Sequence, residues 1–246
     1  MSDAVLRRFV HRLEADSRAG ARALANECAR RLARSREDRR RVRKLFALRR
    51  RLREGGLRFI AGVDEVGVGP LAGPVVAAAV VLPDELELPG LDDSKKLTAC
   101  QRERLARVLR ERAHGWAVGV VAPQEIDRVN ILQATLKAMR RAVLALPAHC
   151  RPEHVLVDAR TIPGVAAPQT ALVHGDAIDG SIAAASIVAK VYRDALMTAL
   201  HDRHPEYGFA KNMGYGTAVH LAALRAHGPC PSHRWSFAPV AAAGRR

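Results

Sequence analysis

The chain has 246 residues, enough for one large domain or for a domain with a small appendage. Its formal net charge of +15 favours a polyanionic partner such as nucleic acid over a merely basic, solvated surface. Aromatic residues make up only 4% of the sequence, so no stacking platform for single-stranded nucleic acid is expected. No apolar run approaches the ~20 residues of a membrane span. Four cysteines without a Cys-x-x-Cys pair or a secretory signal predict a reduced, cytoplasmic protein.

The first section of the chain, residues 1–56, concentrates the positive charge. Counted to residue 58, it holds 18 arginines and one lysine against seven acids. Apolar residues recur at helical spacing, and Gly55-Gly56 supplies a stop signal. The pattern predicts a basic extension of two or three short helices. It is either an auxiliary nucleic-acid clamp held by phosphate contacts or a solvated tail without a dedicated role.

From residue 57 to 246 the apolar periodicity alternates between strand and helix. The predicted strands cover residues 57–64, 75–82, 115–121, 154–158 and 170–174. The predicted helices cover residues 99–113, 123–130, 131–146, 181–201 and 220–227, with Thr98 and Ser181 as N-caps. Because the first two strands follow each other without a helix between them, strands and helices do not strictly alternate, and the order predicts an α/β fold around a mixed sheet.

Four acids follow apolar strands, and they are Asp64, Glu65, Asp158 and Asp176. Strand ends of an α/β sheet gather at one edge, where crowded carboxylates repel unless they share protons or bind cations. Oxygen ligands suit Mg²⁺ or Mn²⁺, and a pair of such ions can clamp an in-line displacement at phosphorus. The pattern therefore predicts a metal-dependent nuclease. Taken singly, Asp158 and Asp176 are also consistent with ordinary acids at the start of a loop.

Eight segments resemble the motifs of ribonuclease HII, the type 2 ribonucleases H. In chain order they read GVDEVGVGPLAGPV, DDSKKL, EIDRVNIL, HVLVDA, HGDA, AAASIVAKVYRD, GYGT and HRWSF. The match runs from about residue 60 to 240, in the family's order and with similar spacing. The segment LEADSRAGARALA resembles, less closely, an N-terminal extension of some bacterial members.

The resemblance implies a ribonuclease H-like catalytic domain over residues 57–246, with a C-terminal helical segment. It implies a monomer that hydrolyses the RNA strand of RNA–DNA hybrids and cuts at single ribonucleotides in duplex DNA, leaving 5′-phosphate and 3′-hydroxyl ends. The implied metal ligands are Asp64, Glu65, Asp158 and Asp176. The implied substrate contacts are the ribose-reading backbone of Gly67, Val68 and Gly69, the phosphate-side residues Ser94, Lys95 and Lys96, and the substrate-sensing Tyr215.

Val68 departs from the family pattern, since arginine is usual between the two glycines. The loop keeps its backbone groups but lacks a guanidinium beside the scissile phosphate. His174 and Ala183 are smaller departures, where lysine and serine are usual. An alternative function is therefore a catalytically weakened protein of the same fold that binds RNA–DNA hybrids. A related nuclease or integrase is a third possibility.

Two further groups have competing interpretations. Asp194 lies one helical turn after Lys190, which favours an ion pair over a role as the fourth metal ligand. His227, Cys230 and His233 have a spacing compatible with zinc, but only three soft ligands are present, and Pro229 and Pro231 stiffen the segment. We expect no zinc there.

Overall fold

A computed structural model describes residues 3–16, 18–84, 86 and 88–244 of the chain. The strands are β1 (Ile60–Val66), β2 (Val75–Val81), β3 (Gly115–Val121), β4 (His154–Asp158) and β5 (Gln169–Leu172). The helices are α1 (Asp3–Glu14), α2 (Ala19–Leu45), α3 (Ala47–Glu54), α4 (Ala99–Arg112), α5 (Pro123–Val129), α6 (Ile131–Leu144), α7 (Gly175–Ile178), α8 (Gly180–Arg203), α9 (Phe209–Asn212), α10 (Ala218–His227) and α11 (Ala238–Ala243). Short 3₁₀ turns cover Ala148–Cys150 and Pro205–Tyr207.

The strands form one mixed sheet in the order β3-β2-β1-β4-β5. β1 and β3 run antiparallel to β2, whereas β4 runs parallel to β1 and β5 parallel to β4. The predicted α/β fold with a mixed sheet flanked by helices is therefore confirmed. Since β1 and β4 are parallel neighbours, their carboxyl ends lie at the same edge.

The sheet is covered on both faces, which explains why the central strands are apolar throughout. Alternate side chains of β2 point to opposite faces. One set packs with α6 and the other with α4 and α8. Gly62 in β1 lets α8 approach closely, because a Cβ at this position would lie 2.1 Å from the carbonyl carbon of Ser181. The closeness of α8 brings its side chains to the acids of β1.

Three predicted details differ from the structure. The first strand begins at Ile60 rather than residue 57, because the Phe59 amide donates a hydrogen bond to the Glu153 side chain and not to another strand. Ser181 is not the N-cap of α8; the Asp179 side chain accepts the hydrogen bond from the Ser181 amide, at 2.7 Å. The segment predicted as a buried strand at 170–174 is the edge strand β5, which pairs only with β4 and is partly exposed.

The basic extension is helical as predicted, but α2 is a single 27-residue helix rather than a short one. It contacts the rest of the chain through specific hydrogen bonds. The Gly90 amide donates to Asp38 at 2.7 Å, and Arg41 donates to the Leu91 carbonyl at 2.7 Å. Buried Arg49 of α3 donates to the carbonyl of Leu82. None of the helices described is long and apolar enough to cross a membrane.

Candidate active site

Three of the four predicted acids lie together at the carboxyl end of β1 and β4. Asp64 and Glu65 belong to β1, and Asp158 is the last residue of β4. One carboxylate oxygen from each lies within 4.8 Å of the others, a spacing that fits a metal ion. Ala159 follows Asp158 with a φ of 56°, a left-handed conformation rare for alanine. The backbone thus turns sharply where the acids meet.

The pKa values show how unfavourable this cluster is without a cation. Burial raises the pKa of Asp64 well above its usual range, and the neighbouring Glu65 carboxylate adds to the effect. Burial also raises the pKa of Glu65, together with the charge of Asp158. Three crowded oxygen donors with no soft ligand among them, of which Asp64 and Glu65 resist ionisation, fit a hard divalent ion.

Ser186 of α8 links the acids to the Ser94 segment. Its hydroxyl lies 2.9 Å from that of Ser94, and both side chains are buried. A hydrogen bond from Ser186 and one from the Glu65 amide partly offset the increase in the pKa of Asp64. A serine in an apolar helix gives no sign of its partner in the sequence, so this contact of Ser186 is seen only in the fold. Ser94 faces inward, so its predicted phosphate contact stays a prediction.

Asp176 lies beside the triad but outside the group of three. It sits in α7 rather than at a strand end, and its carboxylate is 3.5 Å from the Lys95 ammonium. Burial raises its pKa, and the Lys95 charge acts in the opposite direction. The link to the triad runs through the adjacent residue, because the Gly175 amide donates to Asp158 at 2.7 Å. The structure therefore places Asp176 next to the cluster, held by a lysine.

The glycine loop, residues 67–74, follows the first two acids and reaches Tyr215. A Cβ at Gly69 would lie 3.7 Å from the Tyr215 ring, so the aromatic ring covers this glycine. Tyr215 is 46% exposed and Val68 is 38% exposed, which leaves both side chains open to a ligand. Gly67 has a φ of 88°, and a Cβ there would lie 2.2 Å from the Arg193 Nε atom. Glycine is required at that position.

Several other predicted residues have clear partners. Lys96 lies 3.5 Å from Asp92, and Lys95 extends into solvent with 82% of its side chain exposed. The predicted ion pair of Lys190 with Asp194 is present at 2.6 Å.

His233, one of the three residues with zinc-compatible spacing, also has hydrogen-bond partners. His233 accepts from the Cys230 amide through Nδ1, and its Nε2 faces His220.

Comparison with known proteins identifies the family. The sequence model of the family described as Ribonuclease HII matches residues 61–240. The chain belongs to the ribonuclease HII family. Ribonuclease HII of Myxococcus xanthus (strain DK1622) is 53% identical over 229 residues, covering 93% of this chain and 78% of that protein. The Geobacillus thermodenitrificans (strain NG80-2) protein is 51% identical over 228 residues, covering 93% and 87%.

A solved structure supports the same assignment. The ribonuclease H2 from Pyrococcus horikoshii OT3 superposes with a TM-score of 0.64 at 28% identity, over 77% of this chain and 98% of that one. As a member of the ribonuclease HII family, the protein is a metal-dependent endonuclease of the ribonuclease H type. Its family acts on RNA–DNA hybrids.

Three residues near the ribonuclease HII site have no role in the sequence-based prediction. Arg160 lines a cavity of about 210 Å³ together with Val68, Glu65 and Asp158. Arg193 and Arg234 lie fully buried behind the glycine loop. Both belong to quoted family motifs, AKVYRD and HRWSF, but only the fold reveals what they contact.

Proposed function

We propose that the protein hydrolyses the RNA strand of RNA–DNA hybrids and cuts on the 5′ side of single ribonucleotides embedded in duplex DNA. The observation that supports this most directly is the adjacency of the acid triad, the glycine loop and the Tyr215 ring. Backbone groups and an aromatic ring at one site suit recognition of a ribose with its 2′-hydroxyl, which distinguishes RNA from DNA. The acids lie where the neighbouring phosphate would bind.

Asp64, Glu65 and Asp158, with Asp176 beside them, would hold the divalent ions. A pair of Mg²⁺ or Mn²⁺ ions there would activate a water and stabilise the leaving 3′-oxygen, leaving 5′-phosphate and 3′-hydroxyl ends. Because Asp64 and Glu65 hold protons more firmly than usual, ion binding must displace those protons and strengthens as pH rises. Lys95 is exposed and reaches this edge, so its ammonium would contact a substrate phosphate.

The basic extension would act as an auxiliary substrate-binding segment. Its exposed and half-buried arginines line a cleft of about 920 Å³ between α2, α3 and the segment after β2. We call it the arginine cleft; these arginines are Arg7, Arg36, Arg39, Arg40, Arg43, Arg50 and Arg53. Among the residues that the structure describes, the acids of the lining are Glu54 and Asp84. Such a charge distribution favours the phosphates of a duplex that extends beyond the acid triad.

The proposal further comprises a monomer that works in the cytoplasm. All four cysteines are unpaired, as expected for a reducing compartment.

A cleavage assay on three labelled duplexes tests the proposed activity. The substrates are an RNA–DNA hybrid, a DNA duplex with one ribonucleotide and an all-DNA duplex, each with Mg²⁺ or Mn²⁺. We expect metal-dependent cuts in the first two, with 5′-phosphate ends that a ligase can seal, and none with Asp64→Asn. Binding of the hybrid without cleavage would favour the catalytically weakened protein. Cleavage of the all-DNA duplex would favour a related nuclease or integrase.

A further inference from the structure

Two arginines lie fully buried behind the glycine loop, and neither forms a salt bridge with an acid among the residues that the structure describes. Arg193 belongs to α8, and Arg234 follows α10 in the C-terminal segment; both are 0% exposed. In the described part of the chain, each hydrogen bond that these guanidinium groups donate goes to a backbone carbonyl. Burying a cation without a directly bound acid is unfavourable, and burial lowers the pKa of both arginines although Asp194 and Asp127 act in the opposite direction. Two such groups at one loop therefore indicate that they serve a function, despite their cost in stability.

Arg234 joins the two ends of the glycine loop. Its Nη2 donates to the carbonyls of Gly67 at 2.6 Å and Gly73 at 2.9 Å. Its Nη1 donates to the Val68 carbonyl at 2.9 Å, and its Nε donates to the Gly73 carbonyl at 3.0 Å. One planar side chain thus connects the ribose-reading segment, residues 67–69, to the other end of the loop. A guanidinium suits this role because its donors form a rigid fork.

Arg193 connects the same loop to the turn that carries Tyr215. Its Nε donates to the Pro74 carbonyl at 3.0 Å and its Nη2 to the Ala72 carbonyl at 3.3 Å. Its Nη1 donates to the Met213 carbonyl at 3.0 Å, two residues before the tyrosine. The glycine loop and the tyrosine turn therefore share one guanidinium.

Backbone contacts complete the connection between the two segments. The Leu71 amide donates to the Gly214 carbonyl at 2.8 Å. Gly214 has a φ of 83°, and a Cβ at this position would lie 2.4 Å from the Ala72 carbonyl oxygen. The two segments lie too close for any side chain between them. Their relative position is thus set by glycine packing and by the two arginines.

We propose that Arg193 and Arg234 are positioning residues that hold the glycine loop and residues 213–215 as one rigid unit, so that both meet the same ribonucleotide. The inference rests on the proposed function, since it assigns these segments to ribose recognition. The backbone carbonyls of both segments face the buried guanidinium groups. The positive charge behind the glycine loop favours an anionic phosphate in front of it. Holding the contacts in place before substrate arrives removes the loss of entropy on ordering them.

The variants Arg193→Lys and Arg234→Lys test the proposal, because lysine keeps the charge but lacks the planar fork. We expect kcat/KM on the single-ribonucleotide duplex to fall roughly ten- to a hundredfold. Amide hydrogen exchange should accelerate about tenfold or more in residues 67–74 and 213–215. The Kd for Mn²⁺, measured by calorimetry, should stay within about twofold, since neither arginine contacts the acids.

Arg49→Lys provides a matched control. Arg49 is also buried and donates to a backbone carbonyl, that of Leu82, but it lies beside Asp84 and away from the glycine loop. We expect this variant to lose as much thermal stability as the other two. It should keep the wild-type kcat/KM on the single-ribonucleotide duplex and the wild-type rate of amide hydrogen exchange in residues 67–74. Equal effects of all three variants on cleavage and exchange would reduce the arginines to a general role in stability and overturn the proposal.

The wild type in the same assay separates this inference from the proposed function. If the wild type cuts and the Arg193 and Arg234 variants cut with unchanged kcat/KM, the positioning role is wrong and the activity stands. If the wild type does not cut, the proposed activity is wrong, and hydrogen exchange alone decides whether the arginines fix the two segments. Should the lysine variants not fold, Gly214→Ala separates the same segments and should give the same losses.

Discussion

The Nε2 atoms of His220 and His233 lie 3.0 Å apart, and both side chains are completely buried. Their proton positions follow from the outer partners. The Cys230 amide donates to His233 Nδ1 at 3.0 Å, so the His233 proton is on Nε2. His220 accepts that proton at Nε2 and donates from Nδ1 to the Tyr215 carbonyl at 2.8 Å. A chain of two neutral histidines thus holds the backbone of the tyrosine.

The hydrogen-bonded histidine pair predicts that the folded protein loses stability in acid. Burial lowers the pKa of His233 to about 4, helped by His220, and burial lowers the pKa of His220. A histidine with a lowered pKa contributes stability that is complete above its unfolded pKa, about 6.5, and is lost as pH falls towards 4. For His233 the loss between pH 7 and pH 5 is about 2 kcal/mol.

The variant His233→Gln isolates this effect. Glutamine can accept from the Cys230 amide and donate to His220, but it does not titrate. We expect the Tm of the variant to lie below that of the wild type at pH 8 and the gap to shrink by pH 5, as followed by circular dichroism. Parallel Tm curves across this range would contradict the assigned protonation of the pair.

The raised pKa of Asp64 predicts the opposite trend for the metal-free protein. A carboxyl group with a raised pKa favours folding at low pH, and this contribution is lost as pH rises through the folded pKa. We therefore expect Asp64→Asn to raise the Tm of metal-free protein at pH 7.5 and to change it little at pH 4. Asp202 is exposed and lies outside the acid triad, so Asp202→Asn is the control for the loss of one carboxyl group.

The Asp64→Asn variant should also gain less thermal stability from metal than the wild type does. With Mg²⁺ or Mn²⁺ the wild type should gain stability, because the ion binds the folded state. Asp64→Asn should gain little and lose cleavage by about a hundredfold or more, given the several kcal/mol that a bound ion supplies. An increase in Tm with metal equal to that of wild type would argue against Asp64 as a ligand.

Most of the sheet could be predicted because its strands are apolar and bounded by proline or glycine. Gly115–Val121 and His154–Asp158 match their predicted bounds. The start of β1 could not be predicted, since it depends on Glu153, which lies far away in the sequence. The length of α2 reflects a stretch without proline, where periodicity alone gave no helix end.

The candidate site likewise contains residues that could be predicted from the sequence and residues that could not. Asp64, Glu65 and Asp158 are predictable because acids after apolar strands leave a local pattern. Arg193 and Arg234 are not, because most of their partners are carbonyls more than a hundred residues earlier in the chain. Carbonyls occur at every residue and leave no mark in a sequence.

Val68 and Arg160 give a prediction about the missing guanidinium. Both line the cavity beside Glu65 and Asp158, and Arg160 is exposed. We expect Arg160 to contact the substrate phosphate in place of an arginine at position 68. Arg160→Ala should raise KM on the single-ribonucleotide duplex roughly ten- to a hundredfold, as expected for one charge-assisted hydrogen bond.

Restoring the family residue completes a double-mutant cycle. Val68→Arg should lower KM, and Arg160→Ala should then raise KM less than it does in the wild type. Additive effects would show that the two positions do not share a phosphate. An unchanged KM in Val68→Arg would exclude this role for position 68.

The arginine cleft predicts a change in the salt dependence of binding. Each phosphate contact releases counterions, so the slope of log K against log salt concentration decreases by ~1 for each lost contact. The triple variant Arg36→Ser, Arg40→Ser and Arg43→Ser removes three exposed arginines of the cleft. We expect its slope on a long hybrid to be lower by about 2–3, with weaker binding and an unchanged kcat.

A matched triple variant separates the cleft from the overall charge. Arg30, Arg31 and Arg34 are exposed on the same helix α2 but do not line the cleft. Replacing them with serine removes the same charge, so a non-specific field would lower the slope equally in both triples. If the cleft binds phosphates, the second triple should change the slope by less than about 1. Because α2 docks on the catalytic part through Arg41 and Asp38, neither triple disturbs that contact, and the difference between them measures substrate binding alone.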